Sequence, residues 1–486
     1  MSEYIPTIGL EIHAELKTQT KMFCDSPNDP FAAEANTNIC PVCMAHPGTL
    51  PVINREAVRH VLRVGVALGS TLAVYTEFDR KSYFYPDLPK GYQISQYEHP
   101  LVHGGALSGI AITRVHLEED TASSMHGSTT LTTDEEAGTT TIDYNRAGVP
   151  LLELVTEPVI TSAKQAGDFA RELQLLLRYL GASDANMEKG EMRVEANISM
   201  AQKGKRGTKV EIKNLNSFRI MERAVEHEID RQSKLLERGE AVVQETRGWD
   251  ESKQSTFAQR TKEGSADYRY FPDPDLPSLL LSEGSDFSPQ TLVLGLPELP
   301  AARRERYIAL GLKQDDADMF VRHTGYGRLF DSVIEPWRRG DQRIALAANF
   351  IANNIAGSRD TTLPDSGFRA EMPMSPENLS SLVDMLVDKK VTSQAAKEIL
   401  AEVLGSGKAP TVVAQERGLL TIMDDKSLED IVSSVISAHQ GVVADYQGGK
   451  VAAMQFLVGQ AMKIARGAAD PTVLRELIEK NIAKKH

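Results

Sequence analysis

Residues 191–200 read Glu-Met-Arg-Val-Glu-Ala-Asn-Ile-Ser-Met, polar and apolar side chains in unbroken alternation. Strand side chains alternate faces, so Met192, Val194, Ala196, Ile198 and Met200 point into a core. Glu191, Arg193, Glu195, Asn197 and Ser199 then line the opposite face. The start of the chain repeats the design, with Ile8, Leu10, Ile12, Ala14 and Leu16 alternating with Gly9, Glu11, His13, Glu15 and Lys17. Two strands thus present acids, a histidine and an arginine on one side of a half-covered antiparallel sheet. For a single strand a merely solvated face is the simpler reading. Two strands of the same design, with the segments below, favour a site for a divalent cation and phosphate.

Composition bounds the alternatives. A chain of 486 residues, 41% hydrophobic and 25% charged, is an ordinary globular protein of about three domains. No apolar run reaches the ~18 residues that span a bilayer, and no basic, apolar leader opens the sequence, so no membrane role is expected. Three cysteines in such a length point to a reducing compartment, the cytoplasm. The net charge of −13 argues against indiscriminate nucleic-acid binding but leaves room for a local basic patch. From Lys450 onward seven basic residues (Lys450, Lys463, Arg466, Arg475, Lys480, Lys484, Lys485) face three acids.

The periodicity divides the chain. Residues 1–292 are strand-rich, interrupted by two helices. Ser162 with Gln165 caps the first, which ends at Gly181; Ser217 caps the second, which ends at Gly239. Beyond Pro300 the pattern is helical, with a flexible joint expected at Leu404–Lys408. The expected domains are 1–292, 293–405 and 406–486.

Polar constellations collect in the first half. A strand is expected to end in His116-Leu117-Glu118-Glu119-Asp120, and Glu153 stands among Leu151, Leu152, Leu154 and Val155, where an acid needs a partner or a metal. Glu11, His13, Glu118, Glu119 and Glu153 are therefore the expected magnesium ligands. Arg193 and Lys213, on adjacent hairpin strands, are assigned to phosphate, with Glu195 and Lys90 beside the nucleotide. Glu191 and Glu195 are assigned to metal or ammonium handling. Catalysis falls to Glu11, His13, Glu153, Arg193 and Lys213. There is no Gly-x-x-x-x-Gly-Lys loop, so the sheet itself must hold any nucleotide. Aromatic and basic residues mix in 79–93 and 267–274, suited to base stacking or to a pocket mouth. Cys24, Cys40 and Cys43 include a Cys-Pro-Val-Cys knuckle of zinc-ligand spacing. Structural zinc wants four ligands; His46 or Asp25 is the candidate fourth, and an empty or vestigial site is favoured.

Six motifs in one order resemble a single family: Gly9-Leu10-Glu11-Ile12-His13, Tyr83 to Gln93, His116 to Asp120, Asn145 to Glu153, Lys213-Asn214-Leu215-Asn216-Ser217 and Asp267 to Pro272, with Phe456 to Lys463 matching its tail. That family is the B subunits of the aspartyl/glutamyl-tRNA amidotransferases (GatB). The resemblance implies an α+β fold: a glutamine-synthetase-like cradle domain with an antiparallel sheet, then an all-α helical domain and a YqeY-like helical tail. It implies a heterotrimer with a glutaminase A subunit and a small C subunit. It also implies ATP- and magnesium-dependent phosphorylation of the side-chain carboxylate of Glu or Asp misacylated onto tRNA(Gln) or tRNA(Asn), followed by amidation with ammonia from the A subunit. Zinc-bearing members show a Cys-x-Cys pair ahead of the knuckle; here Cys24 is followed by Asp25 and Ser26, and the second thiol is missing. The tail, presenting Lys450, Lys463, Arg466, Lys484 and Lys485, is the expected tRNA-binding element. Two rival classes are a ligase for a free small molecule, which leaves the helical half unexplained, and a non-catalytic RNA scaffold, which leaves the acids unexplained.

Overall fold

The computed structural model describes residues 4–126, 140–261, 268–281, 286–358, 372–421, 425–465 and 469–483. Five long strands build the centre of a ten-stranded sheet: β1 (Tyr4–Glu15), β2 (Ile110–Glu119), β3 (Pro150–Thr156), β4 (Met192–Gln202) and β5 (Val210–Leu215). Their spatial order is β2-β3-β1-β4-β5, every neighbour antiparallel. The sheet continues beyond β5 through the 245–250 strand, which runs parallel to it.

The alternation of β1 and β4 sorts the two faces. Ile8, Leu10, Ile12, Ala14, Val194, Ala196 and Ile198 are at most 1% exposed and share one core with helices on that side. Three long helices supply the cover: α1 (Arg55–Ala67), α2 (Ala163–Tyr179) and α3 (Phe218–Glu237). The Ser162 hydroxyl accepts from Gln165 N, and the Ser217 hydroxyl from Ile220 N, as their N-cap positions require. After α2 the chain turns at Gly181, whose φ of 64° suits a residue without a Cβ.

Helix α1 corrects the expectation of two helices in this half. Asn54 caps it by accepting from Glu56 N and Ala57 N, and Ala57, Val58, Val61, Leu62 and Val64 enter the same core. Its valines favour strands by propensity, but the i, i+4, i+7 spacing of Ala57, Val61 and Val64 and an apolar partner surface override that.

The chain divides into two compact units, Met1–Pro300 and Ala301–His486. The second contains helices and no strand among its described residues. Leu404, Gly405 and Ser406, expected in a flexible joint, complete the helix Ser393–Ser406, and only Gly407, with φ of 70°, breaks it. The helices of 425–483 gather their own apolar cluster around Val432, Met454, Leu457, Leu474 and Ile478. The molecule is α+β, and its polar sheet face lies in the first unit.

Candidate active site

Antiparallel register places His116, Glu153, His13 and Arg193 directly opposite one another, in one row across β2, β3, β1 and β4. The neighbouring row sets Glu11 beside Glu195, and Glu118 lies one strand repeat along β2 from His116. His13 Nε2 is 3.4 Å from Glu153, 3.7 Å from Glu118 and 3.8 Å from Glu11. His116 Nε2 approaches Glu153 at 3.2 Å. The possible ligand atoms of Glu11, His13 and Glu153 all lie within 4.8 Å of one another, as do those of His116, Glu118 and Glu153.

The electrostatics follow from this crowding. Burial pushes the Glu11 carboxyl up to about 7, with the Glu153 charge acting the same way and His13 opposing. Burial works against a charged His13, yet its hydrogen bond to Glu153 and the charges of Glu153, Glu118 and Glu11 carry it up to about 9. Glu153 is also opposed by burial, but His116 and His13 hold it well below the carboxylate range. A pair of imidazoles around one ionised carboxylate, with two further acids at hand, is a donor set that suits a divalent cation.

Glu119 does not belong to this set, contrary to the expectation. Neighbouring strand residues leave opposite faces, so Glu118 joins the histidines and Glu119 does not. Glu119 instead pairs with Lys90 Nζ at 2.7 Å and accepts from Ile94 N at 3.0 Å. Ser95 Oγ donates to Glu118 at 3.0 Å, which fixes that carboxylate from the side.

The expected phosphate cations sit near the row, each already matched. Arg193 Nη2 donates to both oxygens of Asp120, at 2.9 and 2.8 Å, and Asp120 lies 3.8 Å from Arg146. Lys213 Nζ is 2.8 Å from Glu195 and 3.9 Å from Glu211. Glu191 Oε2 accepts from Asn186 N at 3.1 Å, in the turn that leads into β4. Glu15, buried beside Asp120, is pushed up to about 8 by burial and by that neighbouring charge. Reading the residues alone gave no individual role to His116, Asp120, Arg146 or Glu211, although it counted Asp120 among the acids at one strand edge and set Glu211 beside Lys213 on the polar side of the hairpin. The alternation of 116, 118 and 120 is the signal that places the first two.

Cys24, Cys40 and Cys43 bring their sulfurs within 4.8 Å of one another, and neither His46 nor Asp25 joins the group. Ser26 Oγ stands 3.8 Å from Cys43 Sγ, where the implied second thiol is missing. Lys21 Nζ lies 3.8 Å from the same sulfur and already supplies a positive charge. Three thiols, a hydroxyl and an ammonium do not make the closed four-donor set of a structural zinc. In the tail, Lys450 precedes the 451–464 helix and pairs with Asp445 at 3.0 Å, and Lys463 is exposed in the last turn of that helix. Arg466, Lys484 and Lys485 lie outside the described residues.

Residues 6–285 match the GatB/GatE catalytic domain, and residues 340–482 match the GatB domain. The chain is 44% identical to the B subunit of the aspartyl/glutamyl-tRNA(Asn/Gln) amidotransferase of Thermus thermophilus, over 98% of each chain. It is 41% identical to the protein of the same name from Trichodesmium erythraeum, over 99% of this chain and 98% of that one. Against the chloroplastic/mitochondrial glutamyl-tRNA(Gln) amidotransferase B subunit of Physcomitrium patens it is 41% identical over 98% of this chain and 85% of that one. With its catalytic-domain match covering more than half of the residues and these relatives aligned over 85–98% of their own length, the chain belongs to the GatB family.

Proposed function

We propose that this chain is the synthetic subunit of a tRNA-dependent amidotransferase. It activates the side-chain carboxylate of Glu or Asp carried on tRNA(Gln) or tRNA(Asn), with ATP as phosphoryl donor, and joins it to ammonia. The observation that supports this best is the row His116–Glu153–His13–Arg193, with Glu11 and Glu118 on the same sheet face. Activation forms a bond between a carboxylate oxygen and the γ-phosphorus as the bond to ADP breaks. Amidation then forms a carbon–nitrogen bond as phosphate leaves, and the nitrogen gives up a proton.

Glu11, His13, Glu118 and Glu153 would hold magnesium, with His116 keeping Glu153 ionised; the ion supplies neutralisation of phosphoryl charge. Arg193 spends Nη2 on Asp120, and among the described residues its Nη1 and Nε have no protein partner, so they are free to take oxyanions. Asp120 thereby positions Arg193 rather than acting on substrate. Lys213 stands at the other end of the face between Glu195 and Glu211, suited to guiding phosphate or ammonium. The sequence has no Gly/Ser-rich amidase segment, so ammonia is supplied by a separate glutaminase chain, joined with a small third chain in the complex.

The experiment is direct. The complex assembled with its partner chains is given misacylated tRNA, ATP, magnesium and ammonium, and ADP and aminoacyl amide are measured together. Both should form in equal amounts and only with misacylated tRNA. ADP formed equally well without that tRNA, or with a free amino acid in its place, overturns the reading.

A further inference from the structure

Three of the cations around the row are neutralised: Arg193 by Asp120, Lys213 by Glu195 and Lys90 by Glu119. A fourth is not. Lys81 lies on the short strand Asp79–Ser82, which pairs with Tyr92–Ser95 on one side and Phe271–Pro272 on the other. Strand alternation separates it from Arg80, which turns to Asp273 at 3.0 Å and Asp275 at 2.7 Å and covers the Tyr92 ring. Lys81 instead extends between tyrosines, its Nζ 5.1 Å from the centroid of Tyr268 and 5.9 Å from that of Tyr83.

Those rings belong to a wall. Tyr83 and Tyr268 meet edge to face at 6.0 Å, Tyr268 and Tyr270 at 6.1 Å, and Tyr270 stacks on Tyr97 at 4.3 Å. Ring faces attract an ammonium but offer it no acceptor along the N–H directions. Among the described residues no hydrogen bond or ion pair reaches Lys81 Nζ, and the Glu118 and Glu153 charges act on it only from a distance. A half-buried ammonium with no hydrogen bond from the described residues keeps its three N–H donors for a ligand, and the Glu118 and Glu153 charges keep it protonated against burial. A cation held this way is preorganised for an anion that arrives and gains charge during reaction.

We propose that Lys81 is the phosphoryl-binding cation of this site, donating to the oxygens of the group that passes from ATP to the substrate carboxylate, with Tyr83 and Tyr268 as its positioning residues. The assignment rests on the function proposed above and deepens it. It also redistributes the roles: Arg193, tied to Asp120, orients the substrate carboxylate or the acyl phosphate, and the unmatched charge falls to Lys81.

The test uses the full complex with misacylated tRNA, ATP and saturating ammonium, measuring ADP and amide for Lys81→Met and Lys81→Arg. Lys81→Met preserves length and packing but not charge. It should cut both products about a hundredfold or more, as loss of a preorganised charge does, with KM for misacylated tRNA within threefold and glutamine hydrolysis by the glutaminase chain unchanged. Lys81→Arg should recover at least tenfold over Lys81→Met. An equally active Lys81→Met overturns the proposal. So does a variant that still forms ADP but no amide, because Lys81 would then serve ammonia and not phosphate.

A measurement on the wild-type complex keeps the proposal falsifiable if Lys81→Met does not assemble. Acetylation of Lys81 by a small amine-directed reagent, followed by mass spectrometry, should slow at least fivefold with magnesium and a non-hydrolysable ATP analogue, and not with AMP. Equal rates with and without the analogue overturn the proposal. Wild-type complex that forms no tRNA-dependent ADP overturns the parent reading, a result distinct from either variant's failure.

Discussion

At Asp120 a buried carboxylate accepts two hydrogen bonds from one guanidinium nitrogen of Arg193 and lies 3.8 Å from Arg146. Burial alone would raise its pKa; Arg193 and Arg146 together reverse that and hold it below the ordinary value. A depressed folded-state pKa stabilises the protein above the unfolded value of ~4, and the contribution is lost as pH falls through the folded value. Asp120→Asn should therefore lower stability at pH 7 and differ progressively less from wild type below pH ~4, as thermal melts across pH will show. Because Arg193 is 42% exposed, the loss should be about 1–3 kcal/mol, under the ~3–5 of a fully buried pair. His13 and Glu11 set a second pH dependence. A ligand must shed its proton to take a metal, and these two groups are carried up to about 9 and about 7. Magnesium affinity of the complex, measured by calorimetry, should thus rise from pH 6 to pH 9, and an affinity independent of pH would remove these two residues from the ligand set. At this scale Glu11, His13 and Glu153 were legible from alternation and from an acid among leucines. Glu119 was misread because three consecutive acids look alike until the strand's two faces are separated. Lys81 was not singled out: segments 79–93 and 267–274 were read as base-stacking surfaces or a pocket mouth, but that Tyr268 comes to lie beside Lys81 depends on a pairing about 190 residues apart in sequence.

At the scale of elements, the caps and the alternating strands were readable because each depends on neighbours close in sequence. Helix α1 was missed although Asn54 and the apolar spacing announce it, because valine-rich segments argue for strands when the partner surface is unknown. That surface is tight at Gly65, where a Cβ would stand 2.7 Å from Val102 Cγ2 and 2.9 Å from Leu72 Cδ2. In an exposed helix Gly→Ala gains up to about 1 kcal/mol. Gly65→Ala should do the opposite here, destabilising by about 1–3 kcal/mol through overpacking, and a denaturant midpoint equal to or above wild type would contradict the packing described. Ile12→Ala, in the fully buried face of β1, should cost about 2–5 kcal/mol. Because that face lies directly behind Glu11 and His13, the variant should also loosen magnesium binding.

Across the whole molecule, chemistry and charge are kept apart in sequence: the acidic sheet face lies in the first unit, and a tail with an excess of four positive charges ends the second. The helices from 425 onward have their own apolar cluster, so removing residues 425–486 should leave the sheet unit intact. We expect that truncation to raise the KM for misacylated tRNA severalfold or more and to flatten its salt dependence, with ATP binding unchanged. Equal tRNA affinity in the truncated complex would move the recognition surface elsewhere. The place of β1 has a different consequence. The central strand β1 is made before both of its neighbours, β3 and β4, whose residues are synthesised some 140–190 positions later. At ~5–20 residues per second, the ribosome takes roughly ten to forty seconds to deliver both neighbours. For that interval the nascent chain displays a strand with one apolar face and two unpaired edges, the kind of segment that pairs with other chains. This fold therefore depends on chaperone custody during translation more than one whose central strand is made last, and slowing elongation between residues 16 and 192 lengthens the hazard.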